Sequence, residues 1–114
     1  EAVIDKDHTS AILASQLNAD VFAIATDEEA VCLDYRKATQ RRVERLTTEE
    51  CRKYIAEGQF PPGSMGPKIA AAMVFVGRGG KESIITNADH LINAIDGHGG
   101  THIVRAPAEV DRLA

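Results

Sequence analysis

The sequence predicts an α/β fold, a three-layer αβα sandwich on a mostly parallel sheet, and three observations point there. Helical periodicity and short apolar runs alternate along the chain, as strands joined by crossover helices require. The run Asp20-Val21-Phe22-Ala23-Ile24-Ala25-Thr26 has almost no polar face to offer water, which suits a strand central to a parallel sheet and buried on both sides. Boundary signals, finally, sit at the ends of the helical stretches. With 114 residues the chain makes one domain, near the lower end of what such layering needs.

Ala11, Ile12, Leu13 and Leu17 recur at helical spacing over residues 7–18, with Asp7 placed to cap the start and Asn18 to stop the helix. The apolar strand of residues 20–26 follows and is closed by Thr26-Asp27-Glu28-Glu29. Val31-Cys32-Leu33 is a short strand, and residues 34–45 form a long polar excursion. Thr47-Thr48-Glu49-Glu50 is a capping box, so a helix runs from there to Gly58. Residues 66–78 form the next helix, closed by Gly79-Gly80 in the manner of a left-handed cap. Ser83-Ile84-Ile85-Thr86 is a second buried strand. Asn87 caps a further helix through Ile95, residues 97–100 turn the chain, and residues 101–105 form a last strand. Residues 106–114 read as a polar tail. The abrupt opening Glu1-Ala2-Val3-Ile4-Asp5 suggests a piece of a longer chain.

Composition narrows the function. A formal charge of −4, with three phenylalanines, two tyrosines and no tryptophan, supplies neither the basic field nor the stacking platforms of a nucleic-acid binder. The one basic cluster, Arg36, Lys37, Arg41, Arg42 and Arg45, is interleaved with polar residues and reads as a solvated loop. Cys32 and Cys51 belong to no Cys-x-x-Cys pair, so reduced thiols are expected. No apolar run approaches the roughly 20 residues that span a bilayer. His90, His98 and His102 do not share a helical face, and no metal-ligand set is expected from them.

The run Pro61-Pro62-Gly63-Ser64-Met65-Gly66-Pro67-Lys68 carries the strongest chemical signal. Glycines let backbone approach an anion, and Pro67 suits the first helical turn, where a missing N–H costs nothing. Lys68 then sits among free N–H groups at the positive end of a helix. A cation there makes electrostatic sense when an anion such as a phosphate occupies the same place. The spacing is not that of a Walker A loop, and a glycine-proline run can also be a simple turn. Thr26-Asp27 and Thr86-Asn87 follow the two strongest strands and should reach the same rim, where open α/β sheets gather ligands; loop entry alone would also explain them. Lys6 and Asp7 offer a cation for a transferring phosphoryl group and an acid to orient it, although Asp7 is equally explained as a helix cap.

Taken together, Glu1-Ala2-Val3-Ile4-Asp5-Lys6-Asp7, Thr26-Asp27, Gln59-Phe60-Pro61-Pro62-Gly63-Ser64-Met65-Gly66-Pro67-Lys68 and Ile84-Ile85-Thr86 resemble, in order, the C-terminal part of carbamate kinase within the amino-acid kinase family. The resemblance covers residues 1–104. It implies that residues 1–105 are the nucleotide-binding lobe of a phosphotransferase acting between ATP and carbamate, with Mg2+ beside the ATP/ADP and carbamate or carbamoyl phosphate as the small-molecule substrate. Lys6, Asp7 and Lys68 would be catalytic. Thr26, Asp27, Val31, Ser64, Met65, Gly66 and Lys68 would hold the nucleotide. A cytoplasmic homodimer in arginine metabolism, with neither membrane nor nucleic-acid partner, goes with it.

The family usually places an apolar residue after the Thr-Asp pair and often an aromatic near position 32. Glu28 and Cys32 stand here. The family's glycine-rich acceptor site has no counterpart, so the isolated chain should be inactive and bind adenine nucleotide weakly, if at all. A kinase of the same fold acting on another small acid, and a nonenzymatic nucleotide-binding module, are the alternatives.

Overall fold

The structure is a computed structural model that describes residues 6–60 and 65–106. Four strands form the main sheet: β1 (Val21–Ala25), β5 (Glu82–Thr86), β6 (Thr101–Val104) and β4 (Arg45–Thr47), side by side in that order. β1 with β5 and β6 with β4 are parallel, whereas β5 and β6 are antiparallel. A separate two-stranded ribbon pairs β2 (Cys32–Leu33) with β3 (Arg41–Arg42).

Helices α1 (Lys6–Gln16), α2 (Thr48–Ala56) and α3 (Met65–Gly77) share one core with the sheet face that carries Phe22, Ile24, Ile85, Ile103 and Leu46. α3 contributes Ile69, Ala71, Ala72, Phe75 and Val76, all fully buried, and its run of alanines lets α1 and β5 come close. A 3-10 turn (Ala88–His90) and α4 (Leu91–Ile95) lie on the opposite face, where Ala94 packs beside Gly100 and Thr86. The expected three layers are present, with the second helical face much thinner than the first.

The four α-helices of the described residues close in the same way. Asn18, Gly58, Gly79 and Gly97 have positive φ. In each case the following residue donates its N–H to a carbonyl five residues back, as in Gly80 to Phe75 at 3.1 Å and His98 to Asn93 at 2.8 Å. These are Schellman caps, which satisfy carbonyls that the helix leaves unpaired. α2 opens with the expected capping box: Thr47 accepts from the Glu50 N–H, and Glu50 accepts from the Thr47 N–H.

Four expectations need correction. β1 is not central: it forms an edge of the described sheet, with Ala23 and Ala25 exposed and Val21 38% exposed. The strand buried on both faces is β5, although its sequence is more polar. It tolerates burial because the Ser83 hydroxyl donates to Ala72 O and the Thr86 hydroxyl to Glu29 O, so no hydroxyl is left unpaired. The polar excursion of residues 34–45 contains β3 and the start of β4; β4 buries only Leu46 completely, too little apolar pattern to read as a strand. Asp7 lies inside the first turn of α1 and is not its cap. Ala106, assigned to the tail, is 3% exposed and belongs to the body.

Candidate functional site

Because β1 and β5 run parallel in register, Ala25 opposite Thr86, their carboxyl ends reach one rim, and Thr26 N–H donates to Thr86 O at 2.8 Å. The chain then folds back through residues 27–31. That path is pinned at two points: Thr86 Oγ1 donates to Glu29 O, and Val31 N–H donates to Thr101 Oγ1, each at 2.8 Å. Glu29 also holds Arg42 at 3.0 Å and lies 3.4 Å from His90 Nε2.

Between this loop, the β2–β3 ribbon and the entrance to α3 lies a cavity of about 500 Å³. Thr26, Asp27 and Glu28 line it from the sheet rim, Cys32, Tyr35 and Arg36 from the ribbon, and Ala30, Gln59, Phe60 and Met65 complete the wall. A space of this size, lined by apolar Ala30, Phe60 and Met65 together with polar and charged side chains, suits a small organic ligand. Tyr35 Oη donates to Glu28 Oε1 at 3.3 Å, and the Arg36 guanidinium lies 5.4 Å from the Tyr35 ring centre.

The ribbon turn is built from unusual backbone. Asp34 and Arg36 have φ of 53° and 64°, a region costly for side chains with a Cβ. Gln59 Oε1 accepts from Asp34 N–H at 2.8 Å while Gln59 Nε2 donates to Asp34 Oδ1 at 3.0 Å. Thr39 Oγ1 donates to the other carboxylate oxygen at 2.9 Å. The Gln59 bond foremost, and then the Thr39 bond, hold the Asp34 carboxyl below its ordinary value of 3.8. Cys51 is different: burial pushes its thiol up to about 12, so it is an inert core residue.

The residues singled out from the sequence fall into distinct groups. Thr26, Asp27 and Met65 meet at the cavity. Asp7 and Lys68 meet each other, Lys68 Nζ standing 3.2 Å from Asp7 Oδ2, with side chains 23% and 31% exposed for Lys68 and Asp7. Lys6 is exposed at the start of α1, and Gly66 lies in the first turn of α3. Val31 does not line the cavity: it is fully buried in the core, because the residue two before the strand's Leu33 points the same way as Leu33. Ser64, with the rest of the glycine-proline run before Met65, lies outside the described residues. Tyr35, Arg36 and Gln59 were not legible as cavity residues, since a loop turn and a helix-exit residue carry no periodic signal.

The chain belongs to the amino acid kinase family, whose profile matches residues 1–87. Over 104 residues it is 49% identical to the carbamate kinase of Thermoplasma volcanium, covering 91% of this chain and 34% of that protein. It is 45% identical over 105 residues to the carbamate kinase-like protein YahI of Escherichia coli, covering 92% and 33%. The structure of carbamate kinase from Giardia lamblia bound to AMP-PNP superposes with a TM-score of 0.87 at 40% identity, over 92% of this chain and 33% of that one. The chain thus spans about a third of the length of the relatives it matches.

Proposed function

We propose that this chain is the nucleotide-binding part of a carbamate kinase-like phosphotransferase, and that the cavity at the β1 rim receives the adenine nucleotide. The observation that carries the reading is the convergence of the Thr26-Asp27 rim and the α3 entrance on one cavity, in a chain similar to a kinase solved with a nucleotide analogue. Ala30, Phe60 and Met65 offer an apolar bed for a flat base, and Asp27 can accept hydrogen bonds from sugar hydroxyls. Lys68, in the first turn of α3, adds its charge to the free N–H groups there for the phosphates.

In the whole protein, Lys6 and Lys68 would stabilise the charge that spreads over a phosphoryl group in transit between ATP and carbamate, with Mg2+ accompanying the nucleotide and Asp7 orienting the cations. The residues fit that chemistry, since a cation and a carboxylate already stand 3.2 Å apart at a helix start. A cytoplasmic homodimer acting in arginine metabolism extends the same reading. Among the described residues no helix is long and apolar enough to cross a membrane. On this reading the 114-residue chain, which matches only about a third of its relatives' length, should not turn over by itself.

A titration of the 15N-labelled chain with Mg2+-ATP to about 10 mM tests this, because such a range detects even millimolar binding. Amide shifts should concentrate at Thr26, Asp27, Met65 and Lys68, and a coupled assay with carbamate should show no ADP formed. Shifts scattered away from the cavity, or none, would reject the nucleotide assignment; turnover would reject the expected inactivity.

A further inference from the structure

We infer that Asp34 and Gln59 are positioning residues for the cavity: their two-ended contact holds the ribbon turn, residues 34–40, as a wall that presents Tyr35 and Arg36 to the bound nucleotide. This rests on the nucleotide reading of the cavity and adds to it a device that sets affinity.

Asp34 and Gln59 lie 25 residues apart and belong to different segments. One amide spends both its ends on one residue, accepting from the Asp34 N–H and donating to the Asp34 carboxylate. Its orientation is therefore unique, because a flipped amide would set oxygen against carboxylate and nitrogen against N–H. Thr39 fixes the second carboxylate oxygen, and the Arg36 N–H donates to Gln40 Oε1 at 2.7 Å. Residues 35–40 are otherwise exposed, so packing does little to hold the turn. Two left-handed side-chain-bearing residues persist only where surrounding bonds over-determine the backbone, and such strain gathers at ligand clamps. Tyr35 then donates to Glu28, and both line the cavity. Along one side of the cavity the contacts run in series, from Glu28 to Tyr35, from Asp34 to Gln59, and through the chain into Phe60. A wall ordered before binding spares the ligand the cost of ordering it.

The test is ATP affinity of the full chain, read by the same amide titration. Gln59→Ala and Gln59→Glu should weaken binding about tenfold, equivalent to about 1.4 kcal/mol, and speed amide exchange over residues 34–40. The double variant Asp34→Asn/Gln59→Glu swaps the two groups. The amide introduced at position 34 donates to the carboxylate introduced at position 59, which still accepts the backbone N–H, so affinity should return to within about twofold of wild type. Thr39→Val should weaken ATP about threefold, although Thr39 does not line the cavity, because it braces Asp34; this variant decides the matter if the Gln59 variants fail to fold. Unchanged affinity in Gln59→Ala, or in Thr39→Val, overturns the inference. Failure of the swapped pair to recover would instead make Gln59 a direct ligand contact, which overturns it too. Absence of any ATP response in the wild-type chain rejects the nucleotide reading itself, and is seen without a variant.

Discussion

Gly80→Ala should be among the most damaging single-methyl additions in this protein. Gly80 has no unusual φ, so backbone strain is not the issue; space is. A Cβ there would overlap Phe75 Cε2 and lie 2.5 Å from Cδ2 and Cζ. Phe75 is fully buried and leans on Phe22, with ring centres 5.5 Å apart and planes at 42°. The ring can escape only by giving up that contact, worth about 0.5–1.5 kcal/mol, and part of its burial. Alternatively residues 79–81 shift, which breaks the Gly80 to Phe75 cap and the Arg105 bond to Gly80 O. Either route costs about 3 kcal/mol, and a domain of this size loses about 4–8 °C of Tm per kcal/mol. Gly77 is the control. A Cβ there meets nothing within 4 Å and φ is ordinary, so Gly77→Ala should gain about 0.5–1 kcal/mol from helix propensity. Thermal melts followed by circular dichroism check the pair. A Gly80→Ala melt matching wild type would refute the packing argument.

The stability advantage of wild type over Asp34→Asn should be constant near neutral pH and shrink in acid. The native carboxyl titrates below its ordinary 3.8, so its contribution is complete above that value and is lost as pH falls through the lower native one; urea melts from pH 7 down to about pH 2.5 give the profile. Cys51, buried with its thiol raised to about 12, should resist iodoacetamide in the native chain while half-buried Cys32 reacts. Mass spectrometry should find one adduct without urea and two with it, and two native adducts would show that the core opens readily.

The caps were the most legible part of the fold. Thr47-Thr48-Glu49-Glu50, Asn18, Gly58 and Gly79 each carry a local backbone demand that only a few residue types meet, so sequence alone locates them. β1 was misplaced for the opposite reason. Apolar composition reports that a strand wants cover, not which neighbours supply it, and Ser83 and Thr86 hide a buried strand behind hydroxyls whose partners lie in Ala72 and Glu29. The site divides in the same way. Thr26 and Asp27 could be placed because strand ends point to a rim, whereas Gln59 gains its place from a contact with Asp34 that no local pattern encodes.

A lysine at the start of α3 makes electrostatic sense beside an anion, and the structure supplies one from within the chain. Asp7 sits in the first turn of α1, where its charge is favourable to its own helix, and it neutralises a lysine that is unfavourable to α3. Position alone therefore no longer requires a phosphate beside Lys68. The pair is partly exposed, however, and such contacts contribute only about 0–1 kcal/mol, which a polyphosphate approaching the same N–H groups can readily offset. Asp7 then has two opposed effects: it repels an incoming phosphate and it holds the lysine in place. Repulsion acts on binding, positioning on the chemical step. Asp7→Asn should consequently tighten ATP about two- to fivefold in this chain, whereas Lys68→Ala weakens it about tenfold. On the proposed phosphotransferase reading, Asp7→Asn in a longer, active protein should nevertheless lower kcat, because the freed lysine is less well fixed. If Asp7→Asn weakens ATP binding, the carboxylate is part of the nucleotide site and not a stand-in for phosphate.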